Sequence, residues 1–275
     1  MKMIEGGFQM SKITAIVNQK GGVGKTTTAL NLSYALSEEG KRVLLIDFDP
    51  QASLTLALGH DGENKTNIQT MMLREIEEKD IEKVYSITVK DNLELIPSTI
   101  DLARLEASLV GVISRETILR DIIEKIEDRY DYIIIDCSPS LGYLTVNALT
   151  ASDSLIIPVT LEYLSARGLQ LLVDSIRKTI RKLNPSLSID GILLTMVNDR
   201  TNLARSMLKI INDSVHFIEN QTGLKTKIFD AMIPISVKAG EAIAKKQSII
   251  EYAPKNNVAI KYKEFALEWE GIING

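Results

Sequence analysis

Cysteine and histidine are nearly missing from this chain of 275 residues. One cysteine, Cys137, and two histidines, His60 and His216, are all it has. A single thiol excludes an internal disulfide framework, and one Cys with two His makes a Cys/His zinc site implausible. Long apolar runs are also missing. YIIIDC (132–137) and SLIIPV (154–159) stop after a few residues, far below the roughly 20 that would span a bilayer. No transmembrane helix is expected. The first ten residues, MKMIEGGFQM, have neither an apolar h-region nor a small-residue cleavage site, so they do not read as a secretory signal. The expectation is a cytoplasmic protein. Nor is there an excess of positive charge: the formal net charge is −4 and the pI is near 5.4. Any nucleic-acid contact must therefore come from a local patch. Internal repeats and low-complexity segments are absent too.

What is present is a composition ordinary for a globular chain, 45% hydrophobic and 25% charged. Short β-branched runs alternate with helical stretches, the pattern of βαβ units and a parallel sheet. ITAIVN (13–18), RVLLID (42–47), LELIPS (93–98), YIIIDC (132–137), SLIIPV (154–159) and IDGILLTMV (189–197) are the predicted strands. Their continuous apolar character suits burial on both faces. Between the first two lies a helix pattern, with Ala29, Leu32, Tyr34, Ala35 and Leu36 on helical spacing and Gly40 where a C-terminal cap belongs. The stretch 60–92 is polar and acid-rich and reads as surface helices and loops. Residues 1–11 read as a disordered extension, with Met10 as an alternative start, and 12–275 as one α/β domain with helices on both faces of a mostly parallel sheet.

The chemistry is concentrated in NQKGGVGKTTT (18–28). A strand, a glycine run and a helix starting near Lys25 aim free backbone N–H groups and a positive helix end at a phosphate. Gly21, Gly22 and Gly24 let the backbone approach closely, and with Val23 and Thr27 they make up the phosphate cradle. Lys25 would reach the β and γ phosphates, and Thr26 would ligate Mg²⁺. The ordinary template G-x-x-x-x-G-K-[ST] asks for glycine at position 19, where Gln19 stands. This is a variant P-loop with an additional lysine, Lys20.

KGGVGKTT resembles the deviant Walker A box of the ParA/Soj and MinD group of P-loop ATPases. VLLIDFDPQASLTLALG (43–59), YDYIIIDCSPSLGYLTVNAL (130–149), IIPVTLEYLSARGLQLL (156–172), LLTMVNDRTNLA (193–204) and IPISVKAGEAIAKKQSIIEYAPKNN (233–257) are similar to further ParA segments. The resemblance runs from about Lys12 to the C-terminus. It implies a three-layer P-loop fold, with ATP and Mg²⁺ as cofactors and slow, partner-stimulated hydrolysis. It further implies that Lys20 is the signature lysine, which reaches the partner's nucleotide across an ATP-sandwich homodimer. Asp136 resembles the Walker B aspartate that holds Mg²⁺. Asp49 is assigned to positioning the attacking water, and Asp47 either supports the P-loop or caps the next helix. Pro139 and Gly142 resemble switch elements. The base would sit near Asn198, or Asp199 beside it, with Pro234 on the opposite wall.

The lysines are polarised along the chain. From Gln221 to Lys263 there are eight lysines against Asp230, Glu241 and Glu251. The resemblance implies that this region binds double-stranded DNA without sequence preference, through Arg200, Lys238, Lys245, Lys246 and Lys255. Ile235 and Ser236 stand where many relatives have arginines, which implies a weaker or differently built patch. IRKTIRKLN (176–184) reads as a solvated helix end. The function implied is DNA partition with a ParB-like centromere-binding partner. The alternative is a MinD-like or other positioning ATPase acting on a membrane or another cargo. The C-terminal KYKEFALEWEGIING, with three glutamates, is a poor membrane anchor. An iron protein of the nitrogenase-reductase type would need more cysteines than the one present. With no room for a helix-turn-helix before residue 12, operator-specific repression is not expected.

Overall fold

The computed structural model describes residues 11–63, 66–79, 86–160, 165–198, 213 and 215–274. Seven strands form one sheet: β1 Lys12–Ile16, β2 Val43–Phe48, β3 Ile87–Lys90, β4 Leu93–Ile96, β5 Tyr132–Cys137, β6 Ser154–Thr160 and β7 Ser188–Thr195, in the order β3-β4-β2-β5-β1-β6-β7. Every pairing is parallel except β3 with β4. The helices named below are α1 Lys25–Glu38, α2 Ser53–Ala57, α3 Ile68–Ile76, α4 Asp101–Ser108, α5 Ile118–Ile123, α6 Tyr143–Ala151, α7 Ser165–Lys182, α8 Val237–Ala244, α9 Ile249–Tyr252 and α10 Asn257–Asn274.

The period-two alternation of the strands divides the core in two. Leu44, Ile46, Phe48, Ile133, Ile135 and Cys137 belong to one apolar cluster, with side chains of α3 to α7. Val43, Leu45, Tyr132 and Ile134 belong to the other, with α1 and α10. The same alternation carries Asp47 and Asp136, two residues beyond Leu45 and Ile134, onto the α1 face at the strand ends. In open α/β sheets ligands bind at the carboxyl ends of the strands.

The lone tryptophan is part of this core. Trp269 on α10 is fully buried and donates from Nε1 to Asp190 Oδ2 at 2.7 Å. No helix among the described residues is long and apolar enough to cross a membrane.

Two expectations need correction. Within 60–92 a helix is present as expected, the amphipathic α3, whose Ile68, Met71 and Met72 are core residues, but the segment also holds a half-buried antiparallel edge strand, β3, where only helices and loops were expected. The acid-rich surroundings mask ITVK, four residues long and on a sheet edge. The last predicted strand ends at Thr195 rather than 197, because Met196 takes a left-handed φ of 53° that breaks the extended run.

Candidate functional site

The loop after β1 is built without side-chain caps. Gly24 is the N-cap of α1 at φ 84°, offers no side chain to the first N–H groups, and no acidic residue occupies the first turn. A β-carbon there would meet Thr195 only at 3.7 Å, so it is the left-handed φ that requires glycine. An uncapped, 14-residue helix opening on the crevice leaves several N–H donors and the positive end of the helix dipole for an anion.

Neighbouring strands hold the loop in place. Asn18 Nδ2 donates to Pro158 O at 2.7 Å, while Asn18 Oδ1 accepts from Lys20 N at 2.9 Å. Thr195 Oγ1 donates to Val23 O at 2.8 Å. Lys25 is buried and donates from Nζ to Lys20 O at 3.2 Å. Lys20 is half-buried beside it, and Gly21 and Gly22 are exposed.

Under this loop two carboxylates, Asp136 and Asp49, act on the Lys25 ammonium, with Asp47 beside Asp136. Asp47 and Asp136 are register partners on β2 and β5, both with 0% exposure, and Asp49 is 9% exposed. Burial lowers the Lys25 pKa, against the opposing pull of Asp136, Cys137 and Asp49. Burial, reinforced by the Asp47 charge, pushes Asp136 well above the usual carboxylate range, while Thr26 and Lys25 draw it down. Neither oxygen of Asp136 completes a hydrogen bond of normal geometry, although the Thr26 hydroxyl lies next to it. A buried carboxylate with two unsatisfied oxygens and an acid excess around it has the character of a cation position. No group of three or more His, Cys, Asp or Glu suited to a metal occurs among the described residues. Mg²⁺ takes one or two protein ligands together with phosphate oxygens and waters, a contribution that one buried carboxylate beside a threonine hydroxyl can make.

The two aspartates of DFD differ in their partners. Asp47 Oδ2 accepts from Thr55 N at 2.8 Å and Thr55 Oγ1 at 2.7 Å, and Asp47 Oδ1 accepts from Asp49 N at 3.3 Å. Asp47 thus serves the first turn of α2, and burial raises its pKa to about 6 against those hydrogen bonds. Among the described residues the Asp49 carboxylate accepts from Gln51 N at 2.9 Å through Oδ1, and Oδ2 takes part in no hydrogen bond there. Beyond Asp136, Ser138 and Ser140 share a hydroxyl contact of 2.8 Å before Gly142 opens α6.

A cleft of ≈ 240 Å³ adjoins the loop, lined by Gly24, Thr27, Thr195, Met196, Pro234 and Tyr262 among others. It is a largely apolar slot of the kind that holds a planar base. Pro234 is in it; Asn198 is not among its lining residues. Tyr262 and Met196 were not anticipated: one lies far along the chain on α10, the other is placed by a backbone angle. Val197 N donates to Ile233 O at 2.9 Å and Ile235 N to Val197 O at 3.2 Å, which brings the IPIS segment against the end of β7.

Of the residues expected to touch DNA, Arg200 lies outside the described residues, as does Asp199. Lys238, Lys245, Lys246 and Lys255 are exposed. Lys238 is held by Glu241 at 2.6 Å and lies over the Tyr252 ring. The lysine excess of this region is partly neutralised from outside it: Lys227 pairs with Glu268, Lys261 with Glu264 and Lys263 with Glu38.

A mostly parallel sheet, a glycine-rich loop opening on an uncapped helix, and strand-end aspartates beneath a buried lysine define a P-loop ATPase, an enzyme class that takes ATP with Mg²⁺. The family model described as an AAA domain matches residues 11–189. The chain is 43% identical over 259 residues to the sporulation initiation inhibitor protein Soj of Bacillus subtilis, covering 94% of this chain and 98% of that one. It is 38% identical to the chromosome-partitioning ATPase Soj of Treponema pallidum, covering 94% and 97% of the two chains. Among solved structures, cobyrinic acid a,c-diamide synthase from Mycobacterium smegmatis with bound ADP and magnesium is 33% identical. It matches with a TM-score of 0.77, covering 94% of this chain and 93% of that one. The chain belongs to the ParA/Soj family of partition ATPases.

Proposed function

We propose that the protein is a nucleotide-dependent switch for DNA partition: an ATP-bound homodimer holds double-stranded DNA without sequence preference, and hydrolysis releases it. The observation that carries this reading is the buried set Lys25, Asp49 and Asp136 beneath the open end of α1. The N–H groups of Gly21, Gly22, Val23, Gly24 and Thr27 cradle phosphate, and Lys25 leaves Lys20 O to meet the β and γ oxygens. Thr26 and Asp136 hold Mg²⁺, which neutralises phosphate charge when bound. Asp49, with an oxygen uncommitted by Asp47 or Thr55, orients the attacking water. The base lies in the slot beside Pro234 and Met196.

Lys20, half-buried next to the exposed Gly21 and Gly22, contacts the nucleotide of a second copy. Arg200, Lys238, Lys245, Lys246 and Lys255 provide the DNA contacts, and a ParB-like centromere-binding protein stimulates turnover. The family membership and the names of the relatives support this reading, and it places the protein in the cytoplasm, on the nucleoid when ATP is bound. Light scattering of purified protein tests the dimer. ATP with Mg²⁺ should double the mass of wild type and not of Lys20→Ala, with ATP binding retained in both. A Lys20→Ala protein that dimerises normally would sink that assignment.

A further inference from the structure

A side chain of β7 reaches into the glycine-rich loop. Thr195 Oγ1 lies 2.8 Å from Val23 O and 3.3 Å from Val159 O; a hydroxyl carries one proton, and the shorter contact goes to the loop. Thr195 is buried, and the strand around it is held on both sides. It is the register partner of Thr160 on β6, and Ile233 N donates to the neighbouring Leu194 O at 2.8 Å. Val23, which it engages, is fully buried. This bond decides the direction of the next peptide unit, because the Val23 carbonyl and the Gly24 N–H share one planar trans unit and point opposite ways. Gly24, at φ 84°, tolerates either sign of φ, so backbone sterics alone leave that unit free to turn over. Turned over, it would set a carbonyl oxygen against the nucleotide phosphates, and like charges repel. With Val23 O drawn to β7, the Gly24 N–H points away from that strand.

We infer that Thr195 is a positioning residue for phosphate: its hydroxyl holds the Val23–Gly24 peptide in the orientation that presents an N–H donor, and not a carbonyl oxygen, to the β-phosphate. The inference rests on the phosphate cradle proposed above and adds to it a residue that itself touches no phosphate. Thr195 is also the joint between the cradle and the adjoining cleft. It lines the cleft of ≈ 240 Å³ together with Gly24 and Thr27, and a β-carbon on Gly24 would lie 3.7 Å from its Cβ and Cγ2. A substitution that removes the hydroxyl and keeps the branched shape therefore leaves the cleft wall in place and acts on the phosphates.

The test separates the phosphates of a nucleotide from its base. ADP and AMP are titrated against fluorescent N-methylanthraniloyl-ADP on the full chain with Mg²⁺, well below the melting transition, so that a loss of stability alone moves neither affinity. Thr195→Val should weaken ADP about tenfold, the value of one charge-assisted hydrogen bond, and AMP by less than about twofold. Thr195→Ser, which keeps the hydroxyl, should bind ADP within about twofold of wild type. Thr150→Val is the control: it removes another buried hydroxyl, bonded to Val146 O at 2.8 Å on α6, and should change neither affinity. If the valine protein does not fold, Thr195→Ala, which cannot crowd Val23 O, takes its place and the ratio of ADP to AMP affinity decides. An unchanged ADP affinity, equal losses for ADP and AMP, the same loss in the control, or no rescue by serine overturns the inference while the nucleotide site stands. A wild type that binds no fluorescent ADP refutes the nucleotide site itself, and the inference with it.

Discussion

Replacing Asp47 by alanine should damage folding more than chemistry, and the hydrogen bonds at the end of β2 give the size of the effect. Asp47 accepts from Thr55 N, Thr55 Oγ1 and Asp49 N, all buried. Thr55 Oγ1 in turn accepts from Ser98 N at 3.0 Å, which ties α2 to the end of β4. Alanine would leave those donors without an acceptor, at about 1–3 kcal/mol each. Part of this is offset because a carboxylate that burial has pushed to about 6 no longer has to be kept out of water. A net loss of about 3 kcal/mol follows, or roughly 6–10 °C in melting temperature for a chain of this size. Asp47→Asn keeps one acceptor oxygen and should lose about half as much. The assay is thermal unfolding of nucleotide-free protein, with ATP binding measured on the same samples well below the transition. An Asp47→Ala protein that melts within about 2 °C of wild type but no longer binds ATP would refute the reasoning and make Asp47 a nucleotide ligand.

Lys25→Ala should abolish nucleotide binding by calorimetry while leaving the melting temperature of the nucleotide-free protein unchanged or raised, because it removes a buried ammonium. Asp49→Ala should retain ATP and lose about a hundredfold or more in hydrolysis, trapping the dimer on DNA; normal phosphate release would show that Asp49 does not position the water. Gly142→Ala would place a β-carbon 1.9 Å from Glu106 Oε1, forcing that carboxylate off the α6 N-terminus, where it accepts from Leu144 N at 3.2 Å. The cost in urea denaturation should be about 1 kcal/mol, equal to that of Glu106→Ala and not additive with it; additive losses would mean that the two do not share one cap.

The central strands and the P-loop were legible because both are local patterns: apolar runs buried on two faces, and glycines at fixed offsets from a lysine and a threonine. All six predicted strands exist, with ends shifted by a few residues where a backbone angle or a side chain intervenes. At the end of β1, Asn18 replaces ladder hydrogen bonds by a side-chain bond to Pro158 O. β3 escaped notice because a four-residue edge strand needs only half an apolar pattern. The partners of Asp47 could not be read from DFDPQ, since they depend on where Thr55 folds back. The cleft beside the loop was only partly visible. Pro234 belongs to a motif, but Tyr262 comes from a helix whose packing no local spacing reports. The lysine count overstated the available charge for the same reason: Glu38 and Glu268, distant in sequence, neutralise Lys263 and Lys227.

The central claim is a switch between nucleotide states on DNA, and binding of purified protein to unrelated duplex DNA and to anionic liposomes tests it most directly. Each should be measured with ATP, with ADP and without nucleotide, at low and physiological salt. The account predicts DNA binding that requires ATP, weakens steeply with salt and is not accompanied by liposome binding. Liposome binding, or no DNA binding in the ATP state, would contradict it and make the cargo of this ATPase something other than DNA.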